Sequence, residues 1–122
     1  MNCDKIIDIA SNVLNDKKAL NISALHIGEL TVIAEYFILA TATSNTHVKA
    51  LADAVEEKLK SEGISPDHIE GKATGWILMD YNGVVIHIFG RETREFYDLD
   101  RMWDDGEKLD LDKILKSERE ED

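Results

Sequence analysis

Asp80 and His87 are the residues of this chain best placed by type and spacing for acid–base chemistry. They sit in two β-rich runs, residues 76–81 and 84–89, that flank Asn82-Gly83. Asn-Gly between such runs favours a type I′ turn and a tight hairpin, and a two-residue turn fixes the cross-strand register. Asp80 and His87 then become diagonal neighbours, with backbones roughly 7 Å apart. No Ser, Cys or Lys stands in the hairpin as a nucleophile, so a hydrogen bond at the edge of a patch is the expected role. His26, His47, His68 and His87 share no metal-ligand spacing with one another or with Cys3, so neither a metal nor another cofactor is expected. The turn Ala42-Thr43-Ser44-Asn45-Thr46-His47 precedes a helix, where backbone amides can hold an anion. It has no glycine and no Gly-Lys pair, so capping is the expected use. Glu92, Glu95, Asp98 and Asp100 read as the polar side of a surface helix. The chain is expected not to be an enzyme.

The elements that carry these residues follow from periodicity. Residues 4–18 place Ile6, Ala10, Val13 and Leu14 on one helical face, with Ile7 beside them. A short strand is expected within residues 22–27, punctuated by Gly28. Tyr36–Ala42 is apolar without alternation, as in a strand covered on both faces. Val48, Leu51, Ala52, Val55 and Leu59 mark the clearest helix, stopped by Gly63 and Pro66. This strand–helix–strand unit leads to residues 67–70 and is expected to pair its strands in parallel through a right-handed crossover. Residues 91–103 read as a last helix, with Phe96, Leu99 and Met102 or Trp103 on one side.

The 122 residues suit one domain, expected to span residues 1–104. From Asp104 onward nine acids stand against four bases. Residues 105–122 are expected to form an acidic, partly disordered tail, in which Leu109, Leu111, Ile114 and Leu115 support at most a weak helical turn. The longest apolar run is far short of the ~20 residues of a spanning helix. The start, Met1-Asn2-Cys3-Asp4-Lys5, lacks the basic stretch and apolar block of a signal peptide. With a single cysteine, a reducing cytoplasmic location is expected. The net charge of −11 opposes broad contact with a phosphate backbone and favours a basic protein partner.

The hairpin has two unlike faces. Tyr81 opposite Val84, Met79 opposite Ile86 and Ile77 opposite Ile88 make an apolar face that should meet the helices. Trp76 with Phe89, Leu78 with His87, and Asp80 with Val85 make a mixed face. Burying Asp80 and His87 without partners is costly, so this second face is expected to meet solvent and to serve a protein partner. Arg94, Tyr97, Arg101 and Trp103, of types enriched at binding hot spots, follow directly.

Four blocks in order resemble the Iojap family of ribosomal silencing factors, often called RsfS. They are Tyr36-Phe37-Ile38-Leu39-Ala40-Thr41 with Thr43-Ser44, and His47-Val48-Lys49-Ala50-Leu51-Ala52. Next come Gly75-Trp76-Ile77-Leu78-Met79-Asp80-Tyr81 with Asn82-Gly83 and Val84-Val85-Ile86-His87-Ile88-Phe89. The last is Arg94-Glu95-Phe96-Tyr97-Asp98-Leu99 with Trp103. Glu35, Ala42 and Met102 depart mildly from the family pattern, which has Asp, Gly and Leu there.

The resemblance implies an α/β fold, a mixed β-sheet of about five strands packed with helices, with nucleotidyltransferase-like architecture. The Gly-Ser and paired aspartates of nucleotidyltransferases are absent, and fold likeness alone does not carry that activity. The family implies binding to the large ribosomal subunit through ribosomal protein L-fourteen, which blocks joining of the small subunit and represses translation. A large-subunit assembly factor using the same surface is the alternative, with a nucleotide-handling enzyme behind it. The expected contact residues are Trp76, Leu78, Asp80 and His87, bordered by Tyr81, Arg94 and Tyr97. A homodimer through an exposed face is compatible with this reading.

Overall fold

Ile6, Ile7, Ala10 and Leu14 recur at helical spacing, and they are buried positions of α1 (Cys3–Asp16). The computed structural model describes residues 3–28, 34–71, 75–97, 101 and 107–109. Past the end of α1, Lys18 takes a left-handed conformation, φ +68°. Its N–H donates to the Asn15 carbonyl at 3.1 Å, and the Ala19 N–H donates to the Leu14 carbonyl at 2.9 Å. That pair of bonds satisfies carbonyls a helix end otherwise leaves open. α2 (Asn45–Ser61) begins at Ser44, whose Oγ accepts from the His47 N–H at 3.1 Å. It ends the same way as α1, with Gly63 at φ +80° and the Ile64 N–H bonded to the Leu59 carbonyl at 2.9 Å. Capping is thus what the turn before α2 does, as expected.

His47 joins the two helices. The Thr43 N–H donates to its Nδ1 at 2.9 Å, so the ring proton lies on Nε2 and reaches the Lys17 carbonyl at 2.9 Å.

The strands are β1 (Leu20–His26), β2 (Tyr36–Ala42), β3 (His68–Glu70), β4 (Trp76–Tyr81), β5 (Val84–Gly90) and β6 (Glu107–Lys108), and α3 (Arg91–Tyr97) follows β5. They form one six-stranded mixed sheet in the order β3-β4-β5-β2-β1-β6. β2 and β5 run parallel, and every other neighbouring pair is antiparallel. β2 and β5 lie at the centre, which explains why their sequences are apolar on both faces. The Asn82-Gly83 turn has both residues at positive φ, +50° and +102°, as a type I′ turn requires. The Gly83 carbonyl accepts from the Glu35 and Tyr36 N–H groups at 2.8 and 3.0 Å, tying the turn to the start of β2.

α1 and α2 cover one face of the sheet. Ile38, Ala40, Ala42, Ile77, Met79, Tyr81, Val84, Ile86 and Ile88 meet Ile6, Ala10, Leu14, Val48, Leu51, Val55 and Leu59 there. Full burial of each Ile or Leu contributes about 1.5–3 kcal/mol relative to exposure. The face expected to be core is core.

The β2–α2–β3 unit departs from expectation. β3 has the same direction as β2, but the two are not paired: β3 lies at the sheet edge, antiparallel to β4. The β4–β5 hairpin occupies the slot beside β2, because β5 offers seven register partners there, Tyr36↔Val84 through Ala42↔Gly90, while β3 has only three residues. Beyond residue 104, Glu107–Lys108 pair with His26 and Leu25, and the Leu109 N–H donates to the Ala24 carbonyl at 2.8 Å. Met102, Trp103, Leu111, Ile114 and Leu115 lie outside the described residues.

Candidate functional site

The other face of the sheet carries a second, smaller apolar cluster: Leu25, Ile27, Ala34, Phe37, Leu39, Val85 and Phe89, with Trp76 and Leu78 packed against it half-buried. This is the mixed face of the hairpin. The solvent access expected of it holds for β4, where Trp76, Leu78 and Asp80 are half-buried, and fails for β5, where Val85, His87 and Phe89 are buried. The reason is position. Among the described residues β4 has only the three-residue β3 beyond it, whereas β5 lies between β4 and β2, whose Phe37 and Leu39 flank it on this face.

His87 is central to the patch. Its ring lies edge-on to Phe37 at 4.7 Å between centroids, and the Trp76 ring is 6.0 Å away. The Trp76 indole N–H donates to His87 Nδ1 at 3.2 Å. An indole can only donate, so Nδ1 accepts and the neutral ring carries its proton on Nε2. Nε2 is buried with no hydrogen-bond partner among the described residues. Leaving such a donor unpaired costs about 1–3 kcal/mol. Burial pushes the His87 pKa down to about 4, so the ring is neutral at physiological pH.

A pH dependence of stability follows. The lowered value means that, as pH falls, the unfolded chain takes up the proton first, near 6.5, and the folded chain only near 4. Stability from this residue is therefore complete above pH 6.5 and is lost progressively down to pH 4. The expected loss is about 2 kcal/mol by pH 5 and about 3 kcal/mol by pH 4. Urea denaturation of the protein and of His87→Leu at pH 7 and pH 5 checks this: the variant should lose less stability on acidification by about that amount.

Asp80 does not pair with His87. Its Oδ1 instead accepts from the Gly83 N–H at 3.4 Å, closing the hairpin turn. The two residues expected to be capable of acid–base work thus serve the turn and the indole. Tyr81 falls on the helix face with 0% of its surface accessible; burial, then the Glu56 carboxylate, pushes its hydroxyl up to about 12. In this conformation Tyr81 offers nothing to a partner.

Arg94, on α3, is 9% exposed. Its Nη1 donates to the Asn21 carbonyl at 2.6 Å and to Thr41 Oγ1 at 2.9 Å, and Nη2 donates to Ser23 Oγ at 3.4 Å. Its guanidinium lies 5.6 Å from the Phe89 ring centroid. It clamps the irregular start of β1, where Asn21 takes φ +48°, to the end of β2. The side chain of Tyr97 lies outside the described residues. The structure thus brings together Trp76, Leu78, Asp80 and His87, and sets Tyr81 and Arg94 inside. Phe37, which flanks His87, was not among the expected site residues; its signal was the two-sided apolar run of β2.

The chain and its fold have close counterparts among known proteins. The family model "Ribosomal silencing factor during starvation" (RsfS) matches residues 2–122. "Ribosomal silencing factor RsfS" of Bacillus subtilis is 33% identical over 113 residues, 92% of this chain and 96% of that protein. A crystal structure of a Chromobacterium violaceum protein superposes with a TM-score of 0.80 at 36% identity, covering 84% of this chain and 87% of that one. Mouse "Mitochondrial assembly of ribosomal large subunit protein 1" is 30% identical over 101 residues, 80% of this chain and 44% of that protein. The chain belongs to the RsfS family of ribosomal silencing factors. Its relatives are named as silencing factors and as a protein of large-subunit assembly, not as enzymes. No helix among the described residues is long and apolar enough to cross a membrane.

Proposed function

We propose that this protein silences translation by binding the large ribosomal subunit through ribosomal protein L-fourteen and excluding the small subunit from the space it occupies. The observation that carries the reading is the Trp76/Leu78 strip, an apolar surface half open on β4 and backed by a buried cluster in a chain of this family. Binding hot spots are built of such aromatic anchors with well-packed surroundings. The charge of −11 complements a basic ribosomal protein and speeds encounter with it. The mechanism is steric and has no chemical step, and the place of action is the cytoplasm.

The contact consists of Trp76, Leu78 and Asp80, with Tyr97 at its border, and deleting the acidic run 117–122 should leave binding within a few-fold at physiological salt. A homodimer would use the same strip and compete with the partner. Calorimetry of the protein with purified bacterial L-fourteen tests the reading. It should give one-to-one binding that weakens with salt, as screening dictates. Absence of binding at low salt would remove L-fourteen as the partner. Similarity to the mouse large-subunit assembly protein favours a second reading, in which the same surface acts during assembly.

A further inference from the structure

We infer that His87 does not contact the partner but is a positioning residue that holds the Trp76 indole in its binding orientation. This rests on the proposed function in one respect, that Trp76 is part of the contact. The argument begins with what is unusual about His87. Its site is apolar, walled by Phe37, Trp76 and Phe89, and a leucine or phenylalanine there would not carry the buried, unpartnered Nε2–H that His87 does. A histidine on that ground alone is a poor choice. What it does that an apolar residue cannot is accept the indole N–H, at 3.2 Å.

That bond acts together with packing. The Trp76 ring leans on the Phe89 ring at 5.9 Å and on His87 at 6.0 Å, so one side is fixed by aromatic contacts and the pyrrole edge by the hydrogen bond. Trp76 nevertheless begins β4 and stays half-buried, so the residue still reaches the surface. Holding a large side chain in place before docking removes an ordering cost that binding would otherwise bear. For one side chain this corresponds to about a two- to tenfold gain in affinity. His87 cannot itself meet the partner while only 6% of its surface is accessible.

The test is a double-mutant cycle on binding to purified bacterial large subunits, with the Trp76 indole N–H followed by NMR hydrogen exchange. His87→Leu should weaken binding about two- to tenfold, chiefly through faster dissociation, and should speed exchange of the indole proton. His87→Asn keeps an acceptor near the Nδ1 position and should restore most of both. In Trp76→Phe, which keeps a ring but has no N–H, adding His87→Leu should change affinity no further. An equal loss from His87→Leu in both backgrounds would show that His87 acts on the partner directly and would overturn the inference. So would wild-type binding and unchanged indole exchange in His87→Leu. Failure of the contact itself is read separately, from Trp76→Glu: if that variant binds normally, Trp76 is outside the contact and both the surface and the positioning role fall.

Discussion

Trp76→Glu should abolish binding to the large subunit, lowering affinity at least about a hundredfold, while the protein stays folded. The size follows from the place of the indole. Trp76 is the large aromatic side chain of the open strip, resting on Phe89 and His87, and truncation of such anchors typically costs 2 kcal/mol or more. Glutamate does more than truncate. It sets a carboxylate against an apolar cluster, where docking would strip its water without supplying a partner. A more acidic chain would approach a basic partner slightly faster, so the loss must appear as faster dissociation.

The fold should survive because Trp76 is half-buried at the start of β4, and the helix-side core contains Ile77, Met79 and Tyr81 instead. Circular dichroism with a binding isotherm separates the two effects. An unfolded variant would make Trp76 a core residue; a folded variant that binds normally would remove the strip from the contact.

Arg94→Ala should cost about 3 kcal/mol of stability and lower the melting temperature by roughly 10–15 °C. The guanidinium satisfies the Asn21 carbonyl and the hydroxyl of Thr41, itself only 1% exposed, and it covers the Phe89 ring. Removing it strands the buried Thr41 hydroxyl and opens a gap between α3 and the sheet at once. Arg94→Lys should recover less than half of the loss. A lysine ammonium is a point charge that cannot fork between two acceptors and lie flat on a ring together. Denaturant titration of the two variants measures both. A loss below about 1 kcal/mol in Arg94→Ala would mean that the clamp contributes little to the fold.

The two predictions divide residues that look alike in sequence. Trp and Arg are both hot-spot types, and nothing local to Arg94 says that its side chain turns inward to Asn21, some seventy residues earlier. Such inward placement depends on β1 lying beside β2 and on α3 packing against β2 and β5. His87 is similar. The hairpin register, read from Asn82-Gly83, puts His87 correctly opposite Leu78 and on the mixed face, and the structure reproduces each predicted pair. Whether that face is wet depends on the neighbouring strand. β5 sits against β2, so its residues are buried, while β4, one place outward, keeps Trp76 and Leu78 half open.

Periodicity was sufficient for α1, α2, β2 and the hairpin because each element's burial is repeated along its own length. It was insufficient for the slot of β3. A strand–helix–strand pattern carries direction but not adjacency, and the longer β5 takes the place beside β2. β6, two residues in an acidic stretch, has no periodicity to read.

Subunit joining is the step on which the account turns. Purified protein would be mixed with separated large and small ribosomal subunits of a bacterium whose own RsfS matches this chain, and the products resolved by sedimentation. The account predicts that the protein travels with the large subunit, that joined ribosomes fall as protein is added, and that Trp76→Glu has neither effect. Co-sedimentation with the large subunit while joining proceeds unchanged would contradict steric silencing and leave assembly of the large subunit as the function.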